Sequence, residues 1–356
     1  MQVLPLLRDA QHLLGMCEIR TMTLMSLATA AAAALSWLGR PKQAVATFVL
    51  STLLSSWLAR GPRIAIAPRG NGRVAIVTGA SGALGKKTAQ QLVRLGWRVV
   101  FAARSEPLLR EAVAGLDGAT VAVLDLADRR SIEQVVHALP FDAVDLLVCN
   151  AGLWRSPDMP EKLASGFTTE LGVNHLGHAY LIHLLLPRLR RASESGSGAR
   201  VVLVSSWGAY LGAFWTTAAG WTRAFNGGYR FMDWFSLAKR FKLYVNSKAA
   251  NLVYAVALQK KYGAAGKLSF VSVHPGTVAT HILLGSLSQS FLSLLSRIVF
   301  KAEDEGGSCI VWAATTVAVS GGEFCADGSV WPPPSGATVA SARALLQATE
   351  AALNFH

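Results

Sequence analysis

The chain has 356 residues, room for one large domain or two ordinary ones, and 52% of them are hydrophobic while 15% are charged. Its 34 Lys and Arg exceed its 21 Asp and Glu to give a formal net charge of +13, which on so apolar a chain suits a protein held against an anionic membrane surface. The basic residues are scattered, with no long tract and no recognition motif, which argues against nucleic acid as the partner. Cys17, Cys149, Cys309 and Cys325 have neither paired nor metal-ligand spacing, so the expectation is a reducing compartment and no metal site.

Residues 1–20 read as a tail, and residues 21–38 carry no charge, a run worth about 27 Å as a helix and close to the minimum that crosses a bilayer. Arg40, Pro41 and Lys42 interrupt it. A second uncharged run over 43–58 is richer in large apolar residues, with Phe48, Leu50, Leu53, Leu54 and Trp57. A single span, a hairpin dipping into one leaflet and a cleaved targeting peptide all fit residues 21–59. Arg60, Arg63, Arg69 and Arg73 follow, and the positive-inside bias places what comes after on the cytosolic side. Residues 60–72 read as a linker, and 73–356 as one folded domain.

That domain opens on a β-branched strand, residues 73–79, which ends at Gly79 and leads through Ser81, Gly82, Ala83, Leu84 and Gly85 into a helical pattern closed by Gly96. Strand, glycine turn and helix present backbone N–H groups and a positive helix end to a pyrophosphate. A second strand over 98–103 ends at Arg104 and Ser105, with no carboxylate to grip a ribose 2′-hydroxyl. A guanidinium there suits a 2′-phosphate, so NADP(H) is expected over NAD. A third strand over 120–124 closes on Asp125 and Leu126, which puts a carboxylate where an adenine amino group could be met. A fourth over 144–149 ends in Asn150, Ala151 and Gly152. Strands and helices alternating at these lengths predict an α/β fold with a doubly wound parallel sheet.

Further along, Tyr244 and Lys248 stand four residues apart in a run that reads as helix, so both face one pocket. A neighbouring ammonium stabilises a phenolate, lowering a pKa that starts near ~10 and fitting the tyrosine for acid–base work.

These segments together resemble the short-chain dehydrogenase/reductase family over residues 73–350: Thr78 to Gly85, Asp125, Asn150 to Gly152, Val173 to His178, Val202 to Ser206, Tyr244 with Lys248, and His274 to Gly276 occur in the family's order. Val173 to His178, residues 300–306 and the stretch 320–324 look most like its membrane-bound, retinol-dehydrogenase-like branch. The resemblance implies a Rossmann-type domain behind a hydrophobic anchor, on the endoplasmic reticulum or a lipid droplet and facing the cytosol, with organellar targeting an alternative. It implies a lipophilic retinoid, sterol or prenol substrate whose alcohol and carbonyl forms are interconverted by hydride transfer with NADP(H). Tyr244 would exchange the proton, Lys248 would lower its pKa and hold the nicotinamide ribose, and Ser206 would hold the substrate oxygen. Asn174 would position a relay water, Pro275 and Gly276 would face the nicotinamide, and Thr280 would reach its carboxamide. Helices around Asn174 and Tyr244 commonly pair in this family, which makes a homodimer possible. A cofactor-binding scaffold without activity is the competing reading.

The sequence departs from the family pattern twice. Ala83 stands where the middle glycine of the loop is usual, with Gly82 just before it, so an added methyl is expected near the pyrophosphate. The interval from Ser206 to Tyr244 is also long and aromatic. Trp207, Tyr210 and Trp215 are expected to line a pocket for a long apolar substrate, while extra core packing or contact with membrane lipid are the other uses such residues have. Residues 283–300, apolar and broken by serines, form a second candidate for membrane contact. His175, His178 and His183 lie on the helix through Asn174 and are expected to pack or cap.

Overall fold

A computed structural model of the chain describes residues 70–154, 160–196, 198–227, 236–263, 267–276, 278 and 301–354, with isolated positions between 26 and 64. The strands are β1 (Val74–Thr78), β2 (Arg98–Ala103), β3 (Ala119–Val123), β4 (Leu146–Cys149), β5 (Ala199–Val204), β6 (Leu268–His274), β7 (Phe324–Ala326) and β8 (Ser329–Trp331). They form one sheet in the order β3-β2-β1-β4-β5-β6-β7-β8, parallel except for the final β7–β8 hairpin. The doubly wound parallel sheet expected from the alternation of elements is therefore present.

The helices are α1 (Ala83–Arg94), α2 (Glu106–Val113), α3 (Arg129–Ala138), α4 (His178–Glu194), α5 (Ala218–Phe225), α6 (Ser236–Tyr262), α7 (Glu303–Thr315) and α8 (Val339–Leu353). Alternation along the strands sorts the core into two layers. Ala75, Val77, Val99 and Phe101 point to the side of α1, α2 and α7, and Val74, Ile76, Val100 and Ala102 to the side of α3, α4, α6 and α8. Local chemistry agrees with these ends. Asp128 caps α3 by accepting from the Arg130 N–H at 3.0 Å, and Asn354 terminates α8 in the left-handed conformation that an asparagine tolerates.

The last residues of the stretch read as a linker are held to the domain. Gly70 and Gly72 donate backbone hydrogen bonds to Leu95 and Gly96 at 3.1 and 3.0 Å, and a Cβ at Gly70 would lie 2.2 Å from the Gly96 carbonyl carbon. Residues 70–72 are thus fixed to the end of α1. The anchor expected over 21–59 and the apolar stretch 283–300 lie outside the described residues, isolated positions apart. Among the described residues no helix is long and apolar enough to cross a membrane.

The outer layer is closed by α8, which lies against α5 and α6. Thr349 hydrogen-bonds His175 at 3.0 Å, Glu350 pairs with Lys261, and the Leu353 carbonyl accepts from Arg129 at 3.1 Å. Arg200 on β5 fixes the other layer, donating at 2.7–2.8 Å to the carbonyls of Ala313, Thr316 and Val319 and so capping the end of α7.

Candidate active site

Between β1 and β4 the strand order reverses, and at the C-terminal ends of these strands open sheets of this kind bind their ligands. A cavity of about 840 Å³ lies there. Its floor is packed too tightly for side chains at two glycines. Gly79 has φ +68 and a Cβ on it would come 2.8 Å from Ala151 Cα, while one on Gly85 would come 2.3 Å from the Gly79 carbonyl oxygen. Asn150 closes the turn by donating from Nδ2 to the Thr78 carbonyl at 2.8 Å. Thr78 Oγ1 accepts from the N–H groups of Asn150 and Ala151, both at 3.0 Å.

Gly82 caps α1 in an extended conformation, and a Cβ there would meet no atom nearer than 3.4 Å, so the turn needs glycine at 79 and 85 but not at 82. Ala83 is the first residue of α1, and its methyl joins the cavity wall without disturbing the turn. The first N–H groups of a helix have no partner within it, so this end of α1 is suited to a phosphate. Ser81, Leu84, Arg104, Asp125, Leu126, Gly152, Pro275 and Gly276, expected from the sequence to meet a cofactor, also line the cavity. Asp125 spends one oxygen on the Ala127 N–H at 2.9 Å, so its carboxylate partly serves the turn itself. Thr280 lies outside the described residues.

Above the floor stand Ser206, at the end of β5, and Tyr244 and Lys248, on α6; all three line the cavity. The Tyr244 phenol has Ser206 as a hydrogen-bonding neighbour that acts to lower its pKa, and Ser206 Oγ accepts from the Gly208 N–H at 3.2 Å. Lys248 Nζ lies 5.8 Å from the Tyr244 ring centroid and donates to the Val204 carbonyl at 3.1 Å. Ser205 ties the same helix down by donating to the Lys248 carbonyl at 2.7 Å. Burial pushes Tyr244 up to about 12, partly offset by the Ser206 hydrogen bond, and burial pulls Lys248 down to about 8. The expected lowering of the tyrosine by the lysine is therefore not the dominant influence here; loss of water around both groups is.

Asn174 sits in a π-turn, Gly172–Gly177, ahead of α4. It is fully buried behind the cavity wall rather than in it, and its amide grips the Leu153 backbone at both ends, at 2.8 and 3.0 Å, and donates to Ser247 Oγ at 3.0 Å. His175 and His178 are buried and packed, and burial holds them down at about 3 and about 4 respectively.

Aromatic residues form the wall beside the phenol. Trp154 lies 5.8 Å from Tyr244 and 5.9 Å from Phe241 between ring centroids, and Trp207 completes the wall. Trp154 and Phe241 were not singled out from the sequence, where their placement is the one signal they give. Trp154 follows Gly152 by two residues at the cavity rim, and Phe241 precedes Tyr244 by three, which puts it on the same helix face.

Two expected substrate residues do not reach the cavity. Tyr210 is buried against Phe324 at 6.1 Å with its hydroxyl on the Pro332 carbonyl. Trp215 packs edge-on to Trp221 at 4.8 Å and accepts that indole's N–H on its carbonyl at 2.9 Å. Trp221 and Phe225 are fully buried under α8, so the described part of the aromatic interval mostly builds core. Residues 228–235 lie outside the described residues.

A glycine-turned nucleotide floor joined to a Ser–Tyr–Lys group at a sheet's switch point defines a dehydrogenase of the doubly wound class. The profile described as short chain dehydrogenase matches residues 73–219. Mouse retinol dehydrogenase 11 is 36% identical over 255 residues, covering 69% of this chain and 74% of that protein. Mouse polyprenol dehydrogenase is 34% identical over 269 residues, covering 72% and 75%. The chain belongs to the short-chain dehydrogenase/reductase family. Among solved structures, NADPH-bound carbonyl reductase from chicken fatty liver shares the fold, with a TM-score of 0.54 at 20% identity over 73% of this chain and 98% of that one. The protein is accordingly an oxidoreductase of CH–OH groups in a family that uses nicotinamide dinucleotides.

Proposed function

We propose that this chain interconverts an alcohol and a carbonyl on a lipophilic substrate of the retinoid, sterol or prenol class, using NADP(H). The observation that carries the reading is the convergence of Ser206, Tyr244 and a buried Lys248 on one cavity whose walls at that end are Trp154, Trp207 and Phe241. Activities on retinol and polyprenol, named for two relatives above 30% identity, support that substrate class. Arg104 at the end of β2 supports the phosphorylated cofactor.

The floor residues fit a dinucleotide, because the two glycines that a side chain would block are those beneath the turn. Gly79 to Gly85 would hold the pyrophosphate, Arg104 the adenosine 2′-phosphate, and Lys248 the nicotinamide ribose. When bound, the nicotinamide donates hydride to, or accepts it from, the substrate carbon. The chain's own groups manage the oxygen. Ser206 donates a hydrogen bond to it, and Tyr244, protonated at neutral pH, delivers the proton during reduction. The phenolate left behind is stabilised by the Lys248 ammonium, which lies within reach of the ring.

Residues 21–59 would hold the enzyme on the endoplasmic reticulum or a lipid droplet with the catalytic domain in the cytosol. The test is NADPH oxidation with a panel of retinal, steroid ketones and prenals, comparing wild type with Tyr244→Phe. Turnover abolished by the substitution is the expected result. NADPH binding without turnover on any substrate would instead support a cofactor-binding scaffold.

A further inference from the structure

His178 lies outside the roles assigned above, yet both of its ring nitrogens meet polar partners near the site. It is fully buried, the first residue of α4, directly after the π-turn. A π-turn shifts its backbone hydrogen bonds from the fourth to the fifth residue along, and here the Asn174 carbonyl also faces the imidazole, with Nδ1 at 3.0 Å. That carbonyl can only accept, which fixes the proton on Nδ1 and leaves Nε2 as an acceptor. Facing Nε2 at 2.8 Å is Thr78 Oγ1, which already accepts from Asn150 and Ala151 and has one proton to give. The alternative acceptor for that proton, the Val148 carbonyl, is farther away at 3.3 Å. One tautomer therefore satisfies every partner.

We propose that His178 is a positioning residue whose neutral imidazole clasps the nucleotide floor, through Thr78, to the π-turn carrying Asn174. The clasp joins two parts of the site: the ends of β1 and β4 beneath the dinucleotide, and the turn whose Asn174 amide holds the Leu153 backbone next to Trp154. The π-turn can come close enough because the residue before His178 is glycine. A Cβ at Gly177 would lie 2.3 Å from the Leu126 carbonyl oxygen, at the cavity's edge. Burial, with the nearby charge of Lys248 acting in the same sense, keeps the ring uncharged at working pH, so it spaces its partners with its single proton held on Nδ1.

The inference rests on the dinucleotide reading above, and its test separates the two. Asparagine places an amide nitrogen where Nδ1 stands, and glutamine places an amide oxygen where Nε2 stands, so each preserves one half of the clasp. NADPH and NADH fluorescence titrations, which need no turnover, are run on the full chain carrying His178→Asn, His178→Gln or His178→Phe. The expected result is cofactor binding weakened about 5- to 100-fold in His178→Asn and His178→Phe, and near wild type in His178→Gln. On any aldehyde the wild type reduces, kcat falls in His178→Gln and is largely kept in His178→Asn. Equal effects of the two amide substitutions on cofactor binding overturn the clasp, as does a loss confined to the unfolding temperature with unchanged affinity of the folded protein. Should the wild type bind neither dinucleotide, the functional reading itself fails.

Discussion

The nucleotide floor and the aromatic interval between Ser206 and Tyr244 use their distinctive residues in opposite ways. On the floor, Gly79 and Gly85 are required by backbone geometry, because any side chain there would strike main-chain atoms 2.3–2.8 Å away. In the interval, Tyr210, Trp215, Trp221 and Phe225 are distinctive for their size, and size demands burial without specifying against what. A residue chosen for what its backbone must do has a role that can be read locally. One chosen for bulk acquires its role from whatever the fold brings alongside.

The largest test of that contrast is Tyr244→Phe, which keeps the ring in its packing and removes the hydroxyl. Activity should fall about 10²- to 10⁴-fold with the unfolding midpoint little changed. Trp221→Ala should do the reverse, costing about 3–5 kcal/mol in denaturant unfolding, since the indole is fully buried between α5 and α8. If Trp221→Ala is stable and alters substrate preference, the interval belongs to the site after all. Trp207→Ala, at the cavity wall, should raise KM for a long apolar substrate about tenfold with a stability loss well below that of Trp221→Ala.

The pH dependence sharpens the comparison from the side of the site. Tyr244 is held protonated up to about 12, so it enters reduction as an acid, and kcat/KM for the carbonyl should be level below about pH 8. Above that it should decline as Lys248 loses its charge, while oxidation of the alcohol, which needs the phenolate, should rise with pH. For stability the lysine's folded pKa lies below its unfolded value. The unfolded chain therefore binds more protons between pH 8 and 10.5, and the Lys248 contribution to folding improves as pH rises through that window. A profile unchanged by Lys248→Met would remove the lysine from the site. The smallest effect belongs to Ala83→Gly: NADPH affinity should move by about threefold or less, because the methyl lines the wall without distorting the turn.

The parallel sheet class and the floor were legible because β-branched runs, glycine turns and a spacing of four on α6 are local signals, whereas the strand order is set by how distant elements pack. The site's outer wall was less so. Trp154 and Phe241 carry no motif, and their meeting with Tyr244 depends on how α6 lies against the loop after β4. The dominance of burial over the Lys248 charge in setting the Tyr244 pKa was likewise invisible, since spacing along a helix reports proximity and says nothing of how much water is displaced.

The C-terminal helix α8 has a consequence in time as well as in space. It supplies partners to the π-turn through Thr349, to α6 through Glu350 and to α3 through Arg129, so much of the outer layer is unfinished until residue 353 has left the ribosome. The floor is encoded early and can collapse early; the tyrosine helix must wait for its cover. A premature stop before α8 would remove a wall of the domain rather than a tail, and the truncated chain would expose apolar faces of α5 and α6 to the cell's quality-control machinery.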